Sequence, residues 1–124
     1  MRILLVDDEQ ELVSALAERL AFRGIQADWV CDAESAIRKV RADHYDVAVL
    51  DVRMPGISGI DLKKRLAEEN PELRFIFMTG HGSLADFQTG SAEAGSDFYL
   101  AKPVKLELLI EKLQTVIGNK KEQK

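Results

Sequence analysis

The chain has 124 residues, of which 46% are hydrophobic and 31% charged, and its formal net charge is −4. That length fits one domain with a real core and leaves little room for a second. The negative balance disfavours nonspecific binding of nucleic acid or of an anionic membrane by this segment, and no apolar run approaches the length that spans a bilayer.

Ile3-Leu4-Leu5-Val6 is an unbroken apolar run and reads as a strand buried on both faces. It runs straight into Asp7, Asp8 and Glu9, which is too early an acidic turn for a signal peptide. Leu12, Val13, Leu16, Ala17 and Leu20 then form a stripe at helical spacing, and Gly24 is a stop. Ala27-Asp28-Trp29-Val30-Cys31 is short and carries a charge, which predicts an edge strand with Trp29 as a packing residue. Cys31 is the only cysteine, so no internal disulfide forms, and a lone thiol suits a reducing cytoplasm. Asp32 caps a helix whose apolar face is Ala36, Ile37 and Val40.

Val47-Ala48-Val49-Leu50-Asp51 is the stretch the rest is organised around. Four apolar residues end in an acid, and Pro55-Gly56 turns the chain away. Ser58 caps a helix with Leu62 and Leu66 inward, which Asn70-Pro71 ends. Residues 73–78 form the next strand and lead into Thr79-Gly80-His81-Gly82. The segment 83–94 is the weakest helix, because Thr89, Gly90 and Ser91 sit in its middle. Phe98-Tyr99-Leu100 is the last strand, followed by Lys102-Pro103. The final helix carries Leu106, Leu109, Ile110, Leu113, Val116 and Ile117 on one stripe, with Leu108 off it and Gly118 at its end. This β-α alternation, repeated five times, predicts a doubly wound α/β fold of flavodoxin-like type. Its five-stranded parallel sheet has the order 2-1-3-4-5 and helices on both faces.

In such a sheet the carboxyl ends of the strands line the ligand crevice, and the first and third strands are neighbours there. Asp7, Asp8 and Asp51 therefore converge. A cluster of carboxylates repels itself, and a hard divalent cation such as Mg²⁺, with oxygen ligands and phosphate oxygens, resolves the repulsion. Thr79 offers a hydroxyl at the end of the fourth strand, and Lys102 a positive charge after the fifth. Phosphoryl transfer needs positioning and charge neutralisation, which this set supplies. Each residue alone has a commonplace reading as a cap or a solvated charge. Their conjunction at four strand ends is the informative feature.

On Val6-Asp7-Asp8-Glu9, Leu50-Asp51-Val52-Arg53-Met54-Pro55-Gly56, Thr79-Gly80 and Lys102-Pro103, the chain resembles the receiver domain of a two-component response regulator over residues 2–117. The resemblance implies that Asp51 accepts a phosphoryl group from a histidine kinase or a histidine phosphotransfer protein. It gives Mg²⁺ to Asp7, Asp8, Asp51 and the backbone carbonyl of Arg53. It makes Thr79 and Tyr99 the switch residues and Lys102 the phosphate-pairing lysine, and it implies a cis Lys102-Pro103 bond. Arg53 and His81 are placed to tune dephosphorylation. The 83–94 helix, the last strand and the last helix form the implied output face, where an output domain, a downstream protein or a second copy would dock. The Thr79-Gly80-His81-Gly82 turn is similar to that of receivers on sigma-54-dependent activators, but the polar, broken Phe87-Gln88-Thr89-Gly90 departs from that subgroup. Residues 1–118 are read as the receiver and 119–124 as a polar tail or linker stub. The expected protein is cytoplasmic and not an enzyme in its own right, although it assists its own phosphoryl transfer and autodephosphorylation.

Rival readings differ at named positions. An aspartate-based phosphohydrolase normally has a second acid two residues after the nucleophile, where this chain has Arg53. A flavin carrier of the same fold needs a Ser-, Thr- and Gly-rich phosphate loop, where this chain has Asp7-Asp8-Glu9. A degenerate receiver, acting as a phosphorylation-independent interaction module, is the remaining alternative.

Overall fold

The computed structural model describes residues 1–80 and 99–122, with side chains described through residue 118. His81 and the expected 83–94 helix lie outside the described residues. Five strands, β1 (Arg2–Val6), β2 (Gln26–Val30), β3 (Val47–Asp51), β4 (Arg74–Thr79) and β5 (Tyr99–Ala101), form one sheet. Its order is β2-β1-β3-β4-β5, as expected, and each of the four pairings is parallel. Among the described residues three helices, α1 (Gln10–Phe22), α2 (Ala33–Ala42) and α3 (Gly59–Glu69), precede a C-terminal helix, Leu106–Glu122.

Successive strand residues point to opposite faces, so every inner strand feeds two cores. Leu5, Val49, Ile76 and Leu100 pack under α1 and the C-terminal helix. Leu4, Val6, Leu50 and Phe77 pack under α2 and α3. All five residues of β3 are buried, which is why its sequence is unbroken by polar residues until Asp51.

Local signals behave as the sequence predicts at several ends. Asp32 accepts the Ser35 N–H at 2.7 Å, and Ser58 accepts the Asp61 N–H at 3.1 Å. Gly24 follows α1 at φ +78°, a conformation that favours glycine. The Lys102-Pro103 bond is cis. Gly118 does not end the last helix, which runs on to Glu122. A single glycine costs a helix about 1 kcal/mol, and no proline follows to stop it. Among the described residues, no helix is long and apolar enough to cross a membrane.

A polar group closes the opposite end of the sheet. Tyr45 is fully buried and donates its hydroxyl to Asp28 at 2.5 Å, while Arg2 bridges to Asp28 at 3.2 Å and lies over the Tyr45 ring. Burial, then the Asp28 bond, hold the Tyr45 phenol well above its ordinary range. The charge expected to mark β2 as an edge strand thus has specific partners.

Candidate functional site

β1 and β3 deliver their acids side by side. Val6 pairs with Leu50, so the next residue of each strand, Asp7 and Asp51, emerges at the same level. Asp7 is fully buried and Asp51 nearly so, at 0% and 5% exposure. One carboxylate oxygen from each of Asp7, Asp8 and Asp51 lies within 4.8 Å of the others. An all-oxygen, all-anionic donor set fits a hard divalent cation.

Backbone amides hold two of these carboxylates in place. The Glu9 N–H donates to Asp7 Oδ1 at 2.9 Å, and the Arg53 N–H donates to Asp51 Oδ1 at 3.2 Å. Behind Asp51 the chain is clamped on two sides. The Val52 N–H donates to the Met78 carbonyl at 2.9 Å, and the Gly59 N–H donates to the Val52 carbonyl at 2.8 Å. Gly59 opens α3 pressed against Asp51: a Cβ there would stand 2.1 Å from the Asp51 carbonyl oxygen. No larger residue fits this approach without moving α3 or β3.

β4 and β5 bring the cation. The Lys102 N–H donates to the Thr79 carbonyl at 2.7 Å, fixing the lysine backbone beside the end of β4. Lys102 Nζ then lies 2.7 Å from Asp7 Oδ2, 3.1 Å from Glu9 Oε1 and 3.3 Å from Asp51 Oδ2. The electrostatics follow from this packing. Burial raises Asp7, against the pull of the Lys102 and Glu9 N–H bonds. Burial, reinforced by the Asp7 charge, pushes Asp51 up to about 6 in spite of Lys102. Burial would depress the Lys102 ammonium, but its bonds to Asp7 and Glu9 outweigh this and hold it above the ordinary lysine range.

Asp7, Asp8, Asp51 and Lys102 are therefore brought together as expected. Thr79 sits one residue beyond Met78, the register partner of Asp51, at the same end of the sheet. Arg53 lines a cleft of about 590 Å³ with Asp8, Met54 and Ser58, next to the acids. Tyr99 stacks on Phe77 with ring centroids 5.1 Å apart, so its ring belongs to the α2–α3 side of the sheet. Sequence reasoning missed two contributors. Glu9 read as part of an acidic run, yet it is an ion-pair partner of Lys102 from 93 positions away. The steric demand at Gly59 had no sequence signal beyond a glycine after a cap.

Residues 3–114 match the family model of the response regulator receiver domain. The chain belongs to that family. The two-component response regulator PhoP of Pseudomonas aeruginosa is 37% identical over 117 residues, covering 94% of this chain and 52% of that protein. The receiver spans about half the length of the curated relatives it matches. A CheY-like receiver domain protein of Methanospirillum hungatei superposes with a TM-score of 0.88 at 27% identity, over 99% of this chain and 98% of the other. The response regulator TrrA of Thermotoga maritima, solved in complex with Mg²⁺–BeF, gives 0.77 at 30% identity over 93% and 97%.

Proposed function

We propose that this receiver is a phosphoacceptor, with Asp51 as the residue that takes a phosphoryl group from a histidine kinase or a histidine phosphotransfer protein. The observation that carries the reading is the meeting of Asp7, Asp8 and Asp51 with the Lys102 ammonium at adjacent strand ends. Asp7, Asp8, Asp51 and the Arg53 carbonyl would hold Mg²⁺. Bound there, the ion would neutralise the acids and phosphoryl oxygens so that two anions can meet.

The Asp51 carboxylate forms the new O–P bond as the bond from phosphorus to the donor nitrogen breaks, and the donor histidine departs. Burial and the Arg53 N–H fix the attacking carboxylate in one orientation. Lys102 pairs with a phosphoryl oxygen as charge shifts to it, and the Thr79 hydroxyl donates to another. The modified side chain is a dianion with strong acceptor oxygens, and Thr79 and Tyr99 respond to it as the switch. The β5 edge and the C-terminal helix, together with 83–94, are the face that would pass the change to an output domain, a downstream protein or a second copy. Arg53 and His81 tune hydrolysis. The domain assists transfer to itself and turns over no external substrate, and cytoplasm is the compartment that fits a kinase-fed receiver.

The test is intact mass after incubation with acetyl phosphate, with and without Mg²⁺, on wild type and Asp51→Asn. A labile, metal-dependent gain of one phosphoryl group, absent in the variant, is the expected result. No gain in folded wild type with Mg²⁺ present would overturn the reading and favour a phosphorylation-independent interaction module.

A further inference from the structure

An ammonium has three N–H donors, and Lys102 faces three carboxylates, at 2.7 Å for Asp7, 3.1 Å for Glu9 and 3.3 Å for Asp51. These carboxylates equal its donors in number, so a phosphoryl oxygen arriving on Asp51 competes with one of them for the ammonium. The three partners differ in what their release involves. Asp7 is fully buried, and stripping its counter-charge leaves an uncompensated anion in the interior. Asp51 carries the incoming group itself. The Glu9 side chain is 61% exposed, so water replaces its partner readily.

The local structure of Glu9 points the same way. It occupies the N-cap of α1 but makes no side-chain cap hydrogen bond. Caps favour Ser, Thr, Asp and Asn, whose short side chains reach back to the first helical amides. The longer glutamate instead extends across the crevice to the end of β5.

We propose that Glu9 is a positioning residue that acts through Lys102: it holds the ammonium at the mouth of the carboxylate cluster and must release it before Lys102 pairs with a phosphoryl oxygen on Asp51. The inference rests on the phosphoacceptor reading above. Glu9 stabilises the resting arrangement and adds nothing once Lys102 has moved. Its removal makes the lysine easier to recruit, while Asp7 and Asp51 still keep the lysine in the pocket.

Beryllofluoride, a tetrahedral stand-in for the phosphoryl group, is titrated at saturating Mg²⁺ and followed by amide NMR. Wild type, Glu9→Gln, Lys102→Ala and the double variant form a cycle. Glu9→Gln tightens beryllofluoride by about two- to fivefold when Lys102 is present, the range of an exposed ion pair, and by less when it is absent. An equal change in both backgrounds, or none with Lys102 present, would overturn the proposal. The Lys102 side-chain resonance gives a second readout that does not depend on Lys102→Ala binding the probe. Glu9→Gln shifts it in the free protein and leaves it unmoved in the beryllofluoride complex. An unmoved signal in the free protein, or the same shift in both states, overturns the proposal as well. Failure of wild type to bind beryllofluoride with Mg²⁺ would instead sink the phosphoacceptor reading, and the free-protein resonance would still report whether Glu9 holds Lys102.

Discussion

Asp51 carries two opposed demands: it must be buried beside Asp7 to meet a metal and a phosphoryl group, and it must be ionised to attack. Burial and the Asp7 charge move its pKa from an ordinary 3.8 to about 6. In metal-free buffer between pH 3.8 and about 6 the folded state therefore keeps a proton that the unfolded chain has already released. The associated stability is present below 3.8 and is lost as the pH rises through about 6. Asp51→Asn cannot ionise and escapes that loss. It is expected to be more stable than wild type at neutral pH by up to about 3 kcal/mol, with the gap closing in acid. Urea titrations across that range test this, and a gap independent of pH would refute it. Excess Mg²⁺ should stabilise wild type more than the variant, because the variant lacks one anionic ligand of the cluster. Gly59 sets a steric limit on the same residue. Gly59→Ala would drive a methyl against the Asp51 carbonyl and is expected to cost about 1–3 kcal/mol, with phosphorylation slowed in the folded fraction. A thermal melt and a phosphorylation time course check the two parts separately.

Among the elements, those buried on both sides were the most legible. β1 from Ile3 to Val6 and β3 from Val47 to Leu50 are unbroken apolar runs because each feeds two cores, and such runs admit few other readings. The acids that end them were legible for the same reason, since a charge at the edge of so apolar a run needs an explanation. Lys102 stood out only in conjunction with the other strand ends. Glu9 did not, because its role depends on a partner brought close by the closing of the sheet. Tyr45 went unread for a similar reason: its burial follows from Asp28 and Arg2 meeting it across the β1–β2 end. Gly118 shows the opposite error, a strong local signal overridden by the helix around it. On the C-terminal helix, Leu108 is 40% exposed, as its position off the stripe predicts. If this helix belongs to the output face, Leu108→Glu should weaken self-association or partner docking without lowering stability by more than about 0.5 kcal/mol. Sedimentation and kinase-binding titrations decide it, and unchanged values in both would remove Leu108 from the contact surface.

For the molecule as a whole, the sheet grades from a rigid centre to lighter edges. β3 lies between β1 and β4, and each of its residues is buried, whereas β5 has three residues and pairs on one side only among the described strands. Opening free energies should follow that gradient. Native-state hydrogen exchange is expected to find the β3 amides among the slowest and those of β5 far faster. Comparable protection in the two strands would contradict it.

The central strand has a consequence for how a message could leave this domain. Asp51 stands on a strand paired on both sides, with Val52 tied to β4 and Gly59 wedged behind it. A mark written there is like ink on a fixed plate: the plate does not travel. Whatever a partner reads must be the rearrangement of lighter pieces around it, above all a lysine with as many suitors as donors before the mark arrives.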